Sequence, residues 1–308
     1  MAKKPVKKKS NSPFRWAGGK FYARKLILSC VPEHTSYYEP FAGGASIFFA
    51  KEEVENNYLN DKDPELINCY IQIRDNVEGI IALLDGVPAE KELHRYYKNE
   101  YQPTNGVERA FRYFYLNRIS YSGIMNMKNC YWGYGEKYSM QPHRWPDHLR
   151  TVSGRLQGVV FTCCDFEEVI DSAEDGAFLF VDPPYFNADQ DKFYQHFFDK
   201  EDHIRLMECL KRNRNRLKFL ITYDNSQEIR ELYDWCDSIE DREWNYTISR
   251  TDDQKSGKKL ADGNKGSRYK GKEVFITNYH LDDIVGVKEK SFEEPSVGSV
   301  TYNEYARH

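Results

Sequence analysis

Short apolar runs alternate with amphipathic stretches along most of this chain, and their two periods separate strand-like from helix-like segments. Val159 to Thr162, Ala177 to Val181 and Phe219 to Thr222 have strand length, while Glu201 to Leu210 and Ser226 to Trp235 carry helical spacing. Nearer the N-terminus, Thr35 to Glu39 lies between Pro32 and Pro40 and reads as a strand entering a turn. The glycine-rich Phe41-Ala42-Gly43-Gly44-Ala45-Ser46 follows, and Ile47, Phe48, Phe49 and Ala50 begin a helix. A second strand, Tyr58 to Asn60, ends at Asp61, after which Asp63-Pro64 supplies the N-cap and first turn of a helix through Leu66, Ile67, Tyr70 and Ile71. Such alternation predicts an α/β fold with a mostly parallel sheet covered by helices. The last strand-like run, Glu273 to Thr277, is expected at or near a sheet edge.

Residues 75 to about 155 break this rhythm. Helical patterns at Val77 to Leu84, Glu90 to Tyr97 and Val107 to Arg118 follow one another with no strand between them, which predicts an inserted helical domain. It ends in Ser120-Tyr121-Ser122-Gly123 and Asn129-Cys130-Tyr131-Trp132-Gly133-Tyr134-Gly135, a glycine-aromatic stretch suited to an exposed hairpin. The expected division is therefore 12–74 and 155–281 for the sheet domain, 75–154 for the insert, and 1–11 and 282–308 as flexible tails.

A length of 308 residues suits one large domain or one domain with an insertion. No apolar run approaches membrane-spanning length, and the N-terminal Lys3, Lys4, Lys7, Lys8 and Lys9 are not followed by an apolar signal core. Seven cysteines, two of them the adjacent Cys163-Cys164, suit neither a disulfide framework nor a zinc site, so no metal is expected and a reducing cytoplasmic setting is the simplest. The net charge of −4 gives no general attraction to nucleic acid. Local basic patches must supply any, and the candidates are the Lys-rich N-terminus and the stretch from Lys255 to Lys272, which is expected to be mobile without DNA.

Three constellations carry candidate chemistry. In the first, Glu39-Pro40-Phe41-Ala42-Gly43-Gly44 is followed by Asp61, an arrangement in which a glycine loop admits a ligand and a carboxylate takes ribose hydroxyls. The GxGxxG spacing is absent, which favours a nucleoside ligand over a dinucleotide. In the second, Asp182-Pro183-Pro184-Tyr185 stands directly after the apolar Phe178-Leu179-Phe180-Val181, at the carboxyl end of a strand. Prolines offer no N–H, so the carbonyls beside them can face a substrate amine, with Asp182 as an acceptor and Tyr185 as a stacking ring. In the third, Phe14-Arg15-Trp16-Ala17-Gly18-Gly19-Lys20 lacks the glycine spacing and the following hydroxyl residue of a P-loop.

Together these motifs resemble the Dam-like, D12 class of N6-adenine-specific DNA methyltransferases, whose cofactor loop precedes the recognition region and whose catalytic tetrapeptide follows it. The resemblance runs from Ser12 to Tyr279 and implies a Rossmann-like methyltransferase fold with a helical target-recognition insert. It implies S-adenosyl-L-methionine as cofactor, bound by Trp16, Lys20, Glu39, Pro40, Phe41, Gly43 and Asp182, with Asp61 on the ribose and Asp165 and Phe166 at the adenine. It further implies double-stranded DNA as partner and a bacterial or phage source, and leaves a cognate restriction endonuclease open. Arg118, Tyr121, Asn126, Lys128 and Tyr134 are the candidate DNA contacts. The insert departs from the family pattern, because Asn126 stands where a base-reading arginine is usual, and GATC recognition is not implied.

The chemistry expected of such a site follows from adenine itself. The N6 lone pair is delocalised into the ring, so acceptors for both amine protons are needed to localise it while the methyl donor is held in line. Asp182 and the Pro183 carbonyl are the expected acceptors, acting on a base flipped out of the duplex. The competing readings are a cytosine-N4, RNA-adenine or protein-glutamine methyltransferase, a catalytically silent DNA-binding relative, and a nicotinamide-dependent dehydrogenase.

Overall fold

Tyr37 and Tyr38 lie inside a seven-stranded sheet, in β1 (Ser36–Glu39), a strand buried along its whole length. Parallel to it on one side run β2 (Asn56–Asn60) and then β3 (Val159–Thr162), and on the other β4 (Phe178–Val181) and then β5 (Lys218–Asp224). Two antiparallel strands complete the sheet, β7 (Lys270–Thr277) beside β5 and β6 (Ser238–Asn245) at the edge, giving the order β3-β2-β1-β4-β5-β7-β6. The computed structural model describes residues 9–137, 139–186, 198–245 and 270–284. The basic segment 255–269 and most of both expected tails lie outside those residues, whereas the Ser10 amide is tied to the Phe49 carbonyl at 3.3 Å.

Strand period 2 divides the core between the two faces. Phe178, Phe180, Leu220 and Phe275 join one buried cluster; Leu179, Val181, Phe219, Ile221, Val274 and Ile276 join the other. The second face is covered by α8 (Phe166–Ser172), α9 (Lys200–Asn213) and α10 (Gln227–Leu232). The first is covered by α1 (Arg24–Ser29), α2 (Ser46–Ala50), α3 (Pro64–Asp75) and the helices that follow α3. The expected cap of α3 is present: the Asp63 side chain accepts from the amides of Glu65 and Leu66, with Pro64 in the first turn.

The segment after α3 forms α4 (Val77–Leu84), α5 (Lys91–Asn99), α6 (Gly106–Ile119) and α7 (Trp145–Leu156). Phe114 of α6 and Leu149 of α7 share one buried cluster with Phe178 of the sheet, so packing is continuous across residue 75. The expected return to the sheet domain at 155 falls inside the last turn of α7. The expected hairpin is corrected to a loop held by a single antiparallel bridge, Ser120 to Trp132. A β-carbon on Gly133 would stand 2.2 Å from the Tyr121 Cα, so this glycine is what lets the two chain segments cross.

Candidate active site

The order of strands reverses between β1 and β4, and the crevice at the carboxyl ends of strands on either side of such a point is where open α/β sheets take ligands. A cleft of about 400 Å³ opens there, lined by residues that leave the ends of β1, β2, β3 and β4 and by the Trp16–Lys20 segment.

Its first wall is the turn after β1. Gly43 has φ +44 and Ala45 φ +48, so the chain doubles back within a few residues. The Gly43 amide donates to Asp61 at 2.9 Å and its carbonyl accepts from the Tyr70 hydroxyl at 2.8 Å. The loop admits a side chain rather than open space, since a β-carbon on Gly43 would lie 2.6 Å from the Trp16 indole nitrogen and one on Gly44 2.9 Å from the Trp16 Cβ. The glycines thus seat Trp16 across the cleft. Glu39, 1% exposed, accepts from the Tyr37 hydroxyl at 2.7 Å and the Phe48 amide at 2.8 Å, and burial pushes its carboxyl up to about 8.

Asn60, at the end of β2, was not anticipated. Its buried amide donates to the Pro40 carbonyl at 2.9 Å and the Cys164 carbonyl at 3.1 Å, and accepts from the Thr162 hydroxyl at 2.8 Å and the Cys164 amide at 3.1 Å. It thereby fixes the ends of three strands relative to one another. Beyond it, Phe41, Phe166 and Phe198 pack as an aromatic cluster with centroids 5.5 to 5.7 Å apart. Asp165 stands apart from the cleft lining. Its carboxylate caps α8 through the Glu167 amide and pairs with Arg205 at 3.0 Å and Lys62 at 3.3 Å.

The second wall is the tetrapeptide after β4. Lys20 is 3% exposed and its ammonium lies 2.7 Å from one Asp182 carboxylate oxygen and 2.8 Å from the other. The buried Thr222 hydroxyl, one strand away on β5, donates to Asp182 at 2.6 Å. Lys20 and Thr222 thus bond one to each carboxylate oxygen, about two of its roughly four lone-pair directions, which fixes its plane and leaves acceptor capacity for a ligand. The Phe186 amide donates to Asp224 at 3.0 Å and anchors the end of the tetrapeptide. The Tyr185 ring centroid lies 5.0 Å from the Lys20 ammonium, and its hydroxyl faces Glu273 of β7. Glu273 is 2% exposed, and burial pushes its carboxyl up to about 8. Neither Thr222 nor Glu273 was singled out from sequence, because the contacts that define their roles are long-range.

The five expected DNA contacts separate. Asn126 lines the cleft with Ile124 and Met125, Tyr121 is 39% exposed, and Lys128 is exposed. Tyr134 is half-buried and donates to Gln141 at 3.0 Å. Arg118 is corrected: it is buried, its guanidinium reaches the Pro13 carbonyl at 3.5 Å, and burial pushes it down to about 10. In this structure it braces the N-terminal segment from inside, with 8% of its surface exposed.

Comparison with known proteins places this architecture. The family model for D12 class N6 adenine-specific DNA methyltransferases matches residues 16–248. The chain is 29% identical over 288 residues to the type II methyltransferase M1.LlaDCHI of Lactococcus lactis subsp. cremoris, spanning 87% of this chain and 95% of that one. It is 31% identical over 244 residues to the DNA N-6-adenine-methyltransferase of Escherichia phage P1, spanning 75% of this chain and 32% of that protein. With the DNA adenine methylase of Haemophilus influenzae it shares 28% identity over 243 residues, 73% of this chain and 84% of the relative.

Proposed function

The chain belongs to the D12 class of N6 adenine-specific DNA methyltransferases, and from that premise we propose that Asp182, Pro183, Pro184 and Tyr185 carry the methyl transfer, with the cleft holding S-adenosyl-L-methionine. The observation that carries this reading is the Asp182 carboxylate, clamped by Lys20 and Thr222 at the switch point with acceptor capacity left for a ligand. S-adenosyl-L-methionine supplies an electrophilic methyl group.

The residues present fit such a ligand. A cleft of about 400 Å³ is within the range for cofactor-sized molecules. Trp16, Phe41 and Phe166 give aromatic walls for a purine and a sulfonium-bearing chain, and Asp61 offers carboxylate oxygens to ribose hydroxyls. A cationic amino-acid arm reaching Glu39 would favour the ionised form of a carboxyl that burial otherwise holds neutral to about pH 8.

On the substrate side, adenine N6 donates one proton to the Asp182 carboxylate and the other to the Pro183 carbonyl. Both bonds strengthen as positive charge grows on nitrogen, which is the interaction that lowers the barrier. Pro183 and Pro184 contribute no competing N–H. Tyr185 stacks on the flipped base and offsets a part of the few kcal/mol that unstacking costs. Residues 75–154 form the target-recognition region, with Tyr121, Asn126 and Lys128 at the DNA and Tyr134 shaping the loop behind them. In a restriction-modification setting, a cognate endonuclease of the same sequence specificity is the implied partner. No helix among the described residues is long and apolar enough to cross a membrane.

The test is transfer of labelled methyl from S-adenosyl-L-methionine to unmethylated DNA, followed by nucleoside analysis. N6-methyladenine at one short motif is the expected product. Label in cytosine, or none in DNA beside label in RNA or protein, would overturn the reading.

A further inference from the structure

The segment that carries Trp16 and Lys20 is stitched along its backbone to α7 and to the end of α6. The Ser12 carbonyl hydrogen-bonds His148 at 3.2 Å, the Pro13 carbonyl accepts from Arg118 at 3.5 Å, and the Arg15 side chain donates to the Ser120 carbonyl at 3.3 Å. At the centre of this seam is Asn117, which is 0% exposed. Its amide oxygen accepts from the Arg15 N–H at 2.8 Å, and its amide nitrogen donates to the Arg15 carbonyl at 3.0 Å and to the Gly123 carbonyl at 3.0 Å. One backbone N–H and two backbone carbonyls leave a single way to orient the amide, so its flip is settled by its partners.

Asn117 therefore touches two segments that both line the cleft. On one side Arg15 leads into Trp16, seated on the glycine loop, and Lys20, clamped to Asp182. On the other, Gly123 opens the loop whose Ile124, Met125 and Asn126 face the cleft. That loop is held in left-handed backbone at Ser122 (φ +54) and Gly123 (φ +71), and a β-carbon at Gly123 would lie 2.2 Å from the Arg15 carbonyl oxygen. There is no slack at the junction. A displacement of the loop has to move Arg15, and with it the segment that ends at Lys20.

We propose that Asn117 is a positioning residue that couples the DNA-facing loop 120–126 to the Trp16–Lys20 segment, so that DNA and cofactor bind cooperatively. This rests on the methyltransferase reading above. Coupling is reciprocal: whatever factor DNA adds to cofactor affinity, cofactor adds to DNA affinity. The Asn117→Asp variant keeps the volume and the acceptor for the Arg15 N–H but sets a carboxylate oxygen against two carbonyls at hydrogen-bond distance.

The experiment is calorimetric titration of S-adenosylhomocysteine into the full-length protein with and without saturating unmethylated DNA, in wild type, Asn117→Asp and Gly123→Ala. In wild type DNA is expected to tighten the ligand about fivefold or more. In both variants the ratio is expected to fall to about 1, whatever the strain at Arg15 does to the affinity measured without DNA. Gly123→Ala strains the same seam from the loop side and reads it independently if Asn117→Asp melts below the assay temperature. An unchanged ratio in the variants, or a ratio of 1 in an active wild type, overturns the proposal. A role limited to stability would lower the melting temperature and leave the ratio intact. Absence of methyl transfer by wild type would instead count against the functional reading itself.

Discussion

Thr222→Val is the most informative single change to the Asp182 wall of the cleft, because it removes one hydrogen bond and little else. Thr222 is fully buried on β5 and its hydroxyl donates to Asp182 at 2.6 Å. Valine fills nearly the same volume without a donor. A hydrogen bond to a charged group contributes about 1.5 to 3 kcal/mol. Lys20 still reaches both carboxylate oxygens, and Asp182 is 21% exposed, so the lower end applies. If that bond holds the carboxylate in the plane needed by the substrate amine, about 1.5 kcal/mol appears in the barrier, a drop in kcat of about tenfold. The assay is steady-state methylation with labelled cofactor, varying cofactor and DNA separately, beside a thermal melt. The KM values should move little. A kcat within twofold of wild type in a folded variant would refute the role given to Thr222. A raised cofactor KM at constant kcat would assign the Asp182 wall to cofactor binding instead of to the amine.

Other changes separate the neighbouring claims. Gly43→Ala sets a β-carbon 2.6 Å from the Trp16 indole at a residue with φ +44, and about 1 to 2 kcal/mol of strain should weaken cofactor binding about tenfold in a calorimetric titration; unchanged affinity would remove Trp16 from the cofactor wall. Asp165→Ala should cost about 1 kcal/mol of stability through the lost α8 cap while leaving cofactor affinity as it is; a tenfold loss of affinity would contradict the placement of Asp165 outside the cleft. The Glu273 carboxyl is raised from 4.5 to about 8, so between these values the folded protein keeps a proton that the unfolded chain has released, and its contribution to stability is lost as pH rises through that window. Glu273→Gln should flatten the decline, by about 2 kcal/mol between pH 6 and pH 8, in denaturant unfolding at those two values; an unaltered slope would refute it.

What the chain reveals before its structure depends on how local each signal is. Asp63-Pro64 capping α3 and the tetrapeptide after the buried β4 are contiguous, and both stand where the sequence indicates. α7 is as readable, with Trp145, Leu149, Val152 and Leu156 at helical spacing, although the reading above passes over it. β6 is harder: Ser238-Ile239-Glu240-Asp241-Arg242-Glu243 is charged because it forms the sheet edge, and edge strands lose the apolar signature of central ones. The glycine loop is legible in position, but its reason is Trp16, some 27 residues earlier in the chain. Arg118 misleads for a physical reason. α6 is buried on nearly every side from Tyr113 to Ile119, so a polar residue there is an interior group and periodicity gives no sign of it. Asn60, Asn117, Thr222 and Phe198 act through partners far along the chain, and nothing in local pattern marks them.

The most direct test of the central claim is single-turnover methylation by Asp182→Asn, which retains the shape of the side chain and exchanges one acceptor oxygen for a donor. With cofactor and DNA affinities close to wild type, the rate of N6-methyladenine formation is expected to fall by at least about 100-fold. A rate near that of wild type in a folded, ligand-binding variant would show that Asp182 does not localise the lone pair on the amine, and the clamp made by Lys20 and Thr222 would need another purpose.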